Sequence, residues 1–269
     1  MTNTIGYTTT NTGAEEYEYR GLMAKTWDLF RGDTSQWADK LLFRDLIAEY
    51  GQPVLDIGCG TGRLLVDFLA EGIDIDGMDN SPEMLQICRD KATLIGLTAN
   101  VYLQTMETLD LPRQYRTVLV PSSSFQLILD KTDAQEALRR FVNHLEPGGH
   151  LVMPFMIYGM DDSPEEPEWR LTGDKTDPAD GVRYRRYSRA RFDRVNRLEH
   201  TETRYEAERD GQILATEYHQ RSPATRLYTQ EEAVRLFGEV NLTDIEVLSE
   251  FTRTPAKPED TLFTLVGKR

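Results

Sequence analysis

The sequence of 269 residues is poor in cysteine, histidine, positive charge and long apolar runs. Its 2 cysteines, Cys59 and Cys88, are too few for a disulfide framework, so a reducing cytoplasm is the expected setting. Its 4 histidines, His144, His150, His200 and His219, show no metal-ligand spacing, and no metal is expected. No stretch approaches the roughly 18 apolar residues of a membrane helix, and the opening MTNTIGYTTT lacks a signal-peptide pattern, so no membrane partner is expected. Lysine and arginine number 31 against 45 acidic residues, and the resulting charge of −14 disfavours a nucleic-acid partner. No repeat recurs at 20–50 residues, which removes solenoids and propellers. What is present, 39% hydrophobic residues with 28% charged, suffices for the core of one large domain or one domain carrying an insertion.

Along the chain, the first dozen residues, rich in Thr, Asn and Gly, should be loose, and residues 15–50 carry helical spacing, with Trp37, Leu41, Leu42, Leu46 and Ile47 as one stripe ended by Gly51 and Pro53. Short apolar runs then alternate with helical patterns, the signature of a parallel sheet. The runs begin at Val54, Ile73, Val101, Val118 and Leu151, with Ser81-Pro82 opening one intervening helix. Residues 159–181 read as an exposed loop rich in Asp, Glu, Pro and Gly. Three strand-like runs follow, 182–193, 197–208 and 212–226, with Asp210-Gly211 as a hairpin turn between the last two. They predict an antiparallel meander inserted into an otherwise parallel sheet. A helix over 229–237 and strands over 245–251 and 261–266 complete the chain.

The informative segment is VLDIGCGTG, residues 54–62. A strand, a glycine-rich turn and a helix aim backbone N–H groups at an anionic ligand. A dinucleotide loop would read G-x-G-x-x-G, but Arg63 stands where its third glycine belongs, and no phosphate loop of the G-x-x-x-x-G-K type is present. Asp79 ends the neighbouring strand and can accept both hydroxyls of a ribose. The pattern suits an adenosine ligand whose other end carries a carboxylate instead of a pyrophosphate.

Together with GMDNSPEML (77–85), LVPSSSFQLILD (119–130) and LEPGGHLVM (145–153), this loop resembles the class I S-adenosylmethionine-dependent methyltransferases, in the small-molecule branch of quinone-biosynthesis and amino-sugar N-methyltransferases. The resemblance covers residues 37–155 and, more weakly, the last forty. It implies an α/β, Rossmann-like, seven-stranded and mostly parallel sheet of order 3-2-1-4-5-7-6, flanked by helices. It also implies S-adenosyl-L-methionine as cofactor and S-adenosyl-L-homocysteine as product. By the same resemblance Asp56, Gly58, Gly60 and Gly62 surround the methionine and ribose, Asp79 binds the ribose, Asn80 and Met106 flank the adenine, and Ser122 and Ser123 approach the transferring methyl. Where the family often has an acid before Met106, this chain has Gln104-Thr105, which leaves the adenine contact to Thr105 or Gln104. Before the fourth strand Tyr115-Arg116-Thr117 replaces the usual Phe-Asp.

The expected organisation is an N-terminal helical cap (1–50), a methyltransferase core (51–156 and 228–269) and an antiparallel lid (157–227). Eight arginines between Arg183 and Arg204 make that lid basic. Most should pair with Glu199, Glu202, Glu206 and Glu208 on the next strand. On the other face of the first lid strand, Arg186 and Tyr184 are the substrate candidates, with an anionic acceptor as the case they favour. A sulfonium carries its own driving force, so an amine nucleophile needs only to be neutral, whereas a hydroxyl benefits from a base. Tyr158, His200 and His219 are the candidates for proton removal. The expected function is methyl transfer to a nitrogen or oxygen of a small metabolite. A protein or nucleic-acid methyltransferase, a non-catalytic cofactor-binding protein and a nicotinamide dehydrogenase are the alternatives, the last disfavoured by Arg63. Acceptor, substrate and oligomeric state stay open.

Overall fold

The computed structural model describes residues 19–157 and 167–269, which form a seven-stranded sheet and a separate four-stranded one. In the larger sheet β1 (Val54–Ile57) pairs in parallel with β2 (Ile75–Asp79) and β4 (Tyr115–Leu119); β3 (Val101–Leu103) extends it past β2, and β5 (Leu145–Met156) lies beside β4. The last two strands of the chain, β10 (Thr243–Ser249) and β11 (Leu262–Lys268), complete the order β10-β11-β5-β4-β1-β2-β3, with β11 antiparallel to both neighbours. This is the expected 3-2-1-4-5-7-6 arrangement read from the other edge. β1 and β2 are buried along their full length, which is why they read as continuous apolar runs and not as alternating ones.

Helices cover both faces. On one side α2 (Ala38–Tyr50), α3 (Leu65–Ala70) and α4 (Pro82–Leu94) place Phe43, Leu46, Phe68 and Leu85 over the strands. On the other, α5 (Lys131–Asn143) and α6 (Gln230–Glu239) bring in Leu138, Phe141 and Phe237. The starts of α4, α5 and α6 carry side-chain caps: Ser81 accepts from Met84 N at 3.1 Å, Asp130 from Thr132 N at 2.7 Å, and Thr229 forms a capping box with Glu232. Tyr115 opens β4, fully buried with its hydroxyl donating to Asp76 at 2.8 Å.

The smaller sheet, in the order β6-β7-β8-β9, is the expected inserted antiparallel meander, with one correction. The meander strands β7 (Arg183–Asp193), β8 (Leu198–Arg209) and β9 (Gln212–Arg226) are inserted in the chain between β5 and α6 and form a sheet of their own. They gain β6 (Arg170–Thr176) from the stretch expected to be loop; its residues are mostly exposed, so no burial periodicity marks it in the sequence. Asp210 and Gly211 sit at φ of 51° and 77°, the conformation a two-residue hairpin turn needs. The N-terminal pattern splits as well. α2 packs into the main core, although Trp37 and Leu41 of its expected stripe are largely exposed. α1 (Gly21–Arg31) instead lays Leu22, Leu29 and Phe30 against Val182, Tyr184 and Ala207 of the smaller sheet.

Buried Gln126 joins the two sheets. Its amide donates to Met156 O at 3.0 Å and Arg226 O at 2.9 Å and accepts from Met156 N at 2.7 Å, tying the end of β5 to the end of β9. No helix among the described residues is long and apolar enough to cross a membrane.

Candidate active site

At the carboxyl ends of β1, β2 and β4 lies a cavity of about 720 Å³, the place where an open α/β sheet accepts ligands. Asp56, Gly58, Gly60, Asp79, Asn80, Thr105, Met106, Ser122 and Ser123 all line it. Gly62, also expected there, is not among the lining residues. A Cβ on Gly62 would stand 2.5 Å from Cys88 Sγ and 2.8 Å from Val66, so this glycine serves the packing of the loop on α4. Gly60, at φ of 54°, has nothing within 4 Å of the corresponding point, which leaves room for a ligand against the backbone.

Asp79 ends β2 and is held by the loop it faces. Its carboxylate accepts from Gly60 N and from Ser81 N, each at 2.9 Å. Burial pushes this carboxyl above its ordinary range, and the N–H groups of Ser81, Gly60 and Asn80 oppose that shift. Asp56, buried on β1, keeps one oxygen without a hydrogen-bond partner. Burial, with Asp79 adding to it, pushes its carboxyl up to about 7 against the pull of Arg63. An orphaned buried carboxylate oxygen is costly, and a ligand ammonium would satisfy it.

Positive charge enters from residues that the sequence reading did not assign to the site. Arg63 lines the cavity and forms a bidentate, buried pair with Asp39 of α2. Arg31, the last residue of α1, also lines it and lies 4.1 Å from the Trp27 ring centroid. Burial, then the neighbouring Arg63, lowers the Arg31 pKa. Asp28 of α1 fixes the helix to the glycine loop, accepting from Thr61 Oγ1 at 2.7 Å and from Lys91 at 3.1 Å. No spacing in the sequence links α1 to the loop; only the fold brings them together.

On the adenine side, Gln104 is committed elsewhere: its carboxamide exchanges two hydrogen bonds with the backbone of Asp110, at 3.0 and 2.8 Å. Thr105 shares its hydroxyl with Thr108 at 2.8 Å. Glu107, one residue past Met106, also lines the cavity and brings a carboxylate to this end. Ser122 and Ser123, beyond β4, both adopt φ of 56°. Two successive non-glycine residues in that region cost about 1–3 kcal/mol each and concentrate at functional edges.

The main cavity shares Tyr19, Trp27, Leu127, Arg221 and Thr225 with a smaller chamber of about 210 Å³ under the four-stranded sheet. Of the substrate and base candidates, Arg186 and His219 line that chamber. Arg186 lies 5.1 Å from the Phe30 ring centroid and donates to Thr172 Oγ1 at 3.1 Å. Tyr184 is on the same strand face but packs beneath α1, with its hydroxyl 3.1 Å from Asp180, and lines neither cavity. His200 lies one step out of phase with the chamber residues Glu199 and Thr201, so strand alternation turns it to the opposite face. Tyr158 lies outside the described residues. Of the lid arginines, Arg185 pairs with Glu206 and Glu208 and Arg189 with Glu202, as expected, whereas Arg183 pairs with Asp174 of β6. Glu199 is buried and lines the chamber. Cys59, which lines the cavity from within the loop, and Cys88, behind it on α4, are both buried.

Residues 54–149 match the family described as a methyltransferase domain. A ubiquinone biosynthesis O-methyltransferase of Pectobacterium carotovorum is 31% identical over 104 residues, covering 38% of this chain and 42% of the relative. One from Klebsiella pneumoniae is 27% identical over 145 residues, 51% of this chain and 58% of the relative. The chain thus spans about half the length of the curated relatives it matches. Among solved structures, the CcbJ methyltransferase of Streptomyces caelestis superposes with a TM-score of 0.76 at 19% identity, covering 94% of this chain and 98% of that one. The sugar N-methyltransferase KedS8 from Streptoalloteichus gives a TM-score of 0.70 at 20% identity, covering 99% of both chains. At these identities the likeness is one of fold, and it extends over both sheets. Residues 54–149 thus resemble a methyltransferase domain, and the fold as a whole is one shared with solved methyltransferases.

Proposed function

We infer that the protein is an S-adenosylmethionine-dependent methyltransferase acting on a nitrogen or oxygen of a small, polar molecule. The observation that carries this reading is the pair of buried carboxylates at the glycine loop. Asp79 is fixed at the strand end where a ribose sits, and Asp56 has an orphaned oxygen in the same cavity. In this reading Asp79 receives the ribose hydroxyls, Asp56 the amino group, and Arg31 and Arg63 the carboxylate. Asn80, Thr105, Met106 and Glu107 enclose the adenine, while Ser122 and Ser123 stand at the methyl end. A pyrophosphate would meet two carboxylates here, which argues against a dinucleotide.

When bound, the cofactor supplies an activated methyl on a sulfonium. The chain's own work is to position the acceptor and exclude water. Trp27 and Tyr19 cover the junction of the two cavities, and the four-stranded sheet closes the far wall, so we assign residues 157–227 as the lid that selects the acceptor. The chamber offers Ser188, Thr201, Thr203 and Tyr205 as hydroxyl groups, with Arg186 and Arg221 as cations. Such a lining suits a hydroxylated acceptor with room for an anionic group, and fits an isoprenoid tail poorly. The named activity of KedS8 on sugars is in keeping with that chemistry. Buried, free Cys59 and Cys88 fit a reducing, cytoplasmic setting. Calorimetry should give roughly micromolar binding of S-adenosylmethionine and S-adenosylhomocysteine and no heat with NADH. Binding of NADH alone would overturn the reading.

A further inference from the structure

We propose that Arg221 selects the acceptor by receiving an anionic oxygen group of it, a carboxylate or a phosphate, at the neck between the two cavities; the assignment rests on the methyl transfer proposed above. Arg221 lines both the cofactor cavity and the chamber, so a group bound to it borders on each. It stands on β9 opposite Thr201 of β8, at the point where the register breaks. From Thr201 to Glu199 β8 spans two residues, while from Arg221 to Thr225 β9 spans four. A bulge of this kind re-aims the side chains beside it and is common next to active sites. This one lies between Arg221 and the end of β9 that Gln126 ties to β5.

The pairing of the lid arginines divides by face. Outward, Arg183, Arg185, Arg189 and Arg204 each meet a carboxylate of the same sheet. Inward, Arg186 and Arg221 form no ion pair among the described residues, although a chain of charge −14 has carboxylates to spare. Arg186 is held in another way: it donates to Thr172 Oγ1 at 3.1 Å and Thr172 O at 3.2 Å and lies over the Phe30 ring. Arg221 makes a single hydrogen bond, to Leu127 O, and at 3.3 Å it is a long one. One N–H of its fork is thus engaged and the rest face the neck. A guanidinium fork matches a carboxylate or a phosphate through two parallel hydrogen bonds, which a neutral hydroxyl cannot reproduce. Glu199, the carboxylate in the chamber wall, pairs with neither inward arginine. Thr201 and Thr203 of the same wall offer hydroxyls to the uncharged part of the acceptor.

Matched probes test this in the protein saturated with S-adenosylhomocysteine. Calorimetric titration compares glucuronate with its methyl ester, and glucose 6-phosphate with glucose, so that each pair differs in charge at one position. At least one anion should bind about tenfold or more tightly than its neutral partner, and the pair that shows the preference tells a carboxylate from a phosphate. Arg221→Gln should bring the ratio of the two affinities to about one, with the S-adenosylhomocysteine Kd within about twofold of wild type. A purely structural role would lower both members of a pair together and leave their ratio intact. Anions that bind no better than their neutral partners, a preference that survives Arg221→Gln, or no binding of any probe at tens of millimolar overturns the assignment. A wild-type protein that does not bind S-adenosylhomocysteine overturns the underlying cofactor reading instead.

Discussion

In the seven-stranded sheet β1 and β2 are buried at every position, whereas in the four-stranded sheet most residues of β7 and β8 are half-exposed and one face is a ladder of arginine–glutamate pairs. The first sheet leaves almost no freedom where its glycine loop packs on α4 at Gly62, and leaves open space at Gly60. The second tolerates change on its outer face and keeps its chemistry on the inner one. In the reading proposed above, a rigid cofactor floor lies under an adjustable acceptor roof, an arrangement by which one fold can serve many substrates.

Gly62→Ala is the harshest test of the floor. Its φ of 77° and its approach to Cys88 and Val66 should cost about 3 kcal/mol or more in urea unfolding. Gly60→Ala meets open space and should cost about 1 kcal/mol while still obstructing the cofactor. Equal stability losses would break the distinction between the packing glycine and the ligand glycine.

Asp56→Asn separates stability from function within the same floor. The folded carboxyl titrates near 7 against an unfolded value of 3.8, so its contribution to stability is full below 3.8 and is lost as pH rises through about 7. The variant should therefore melt higher than wild type without ligand at pH 8 and equally at pH 3.5. Its affinity for S-adenosylhomocysteine should fall about tenfold or more at pH 8. Wild-type affinity should itself weaken below pH 7, as Asp56 gains a proton. A variant less stable than wild type at pH 8 would contradict the burial argument.

The roof should respond weakly. Arg185→Met removes a partly exposed partner of Glu206 and Glu208 and should cost about 0.5–1 kcal/mol, leaving cofactor affinity within about twofold. The smallest expected effect comes from salt. At 1 M NaCl, amide exchange in β7 and β8 should quicken while that in β1 and β2 stays unchanged. Equal acceleration in both sheets would remove the contrast.

The same contrast governs what was legible in the sequence. VLDIGCGTG and Asp79 were readable because a buried strand, a tight loop and a ligand-facing acid each demand particular residue types at fixed spacing. The meander strands were readable through their alternation and the Asp210-Gly211 turn. β6 was not, since an exposed edge strand has no apolar period to show. Arg31, Trp27 and Arg221 reach the site through α1 and β9, brought together by tertiary packing across long stretches of chain. Tyr184 shared the correct strand face with Arg186, but only the seat of α1 decided which of the two reaches the chamber.

The central claim, an adenosyl cofactor held by the acid at the end of β2, is tested most directly by titrating S-adenosylhomocysteine into wild type and Asp79→Ala. Micromolar binding by wild type, weakened about 100-fold or more in a variant that still unfolds cooperatively, is the expected result. Equal affinity in the two proteins would contradict it.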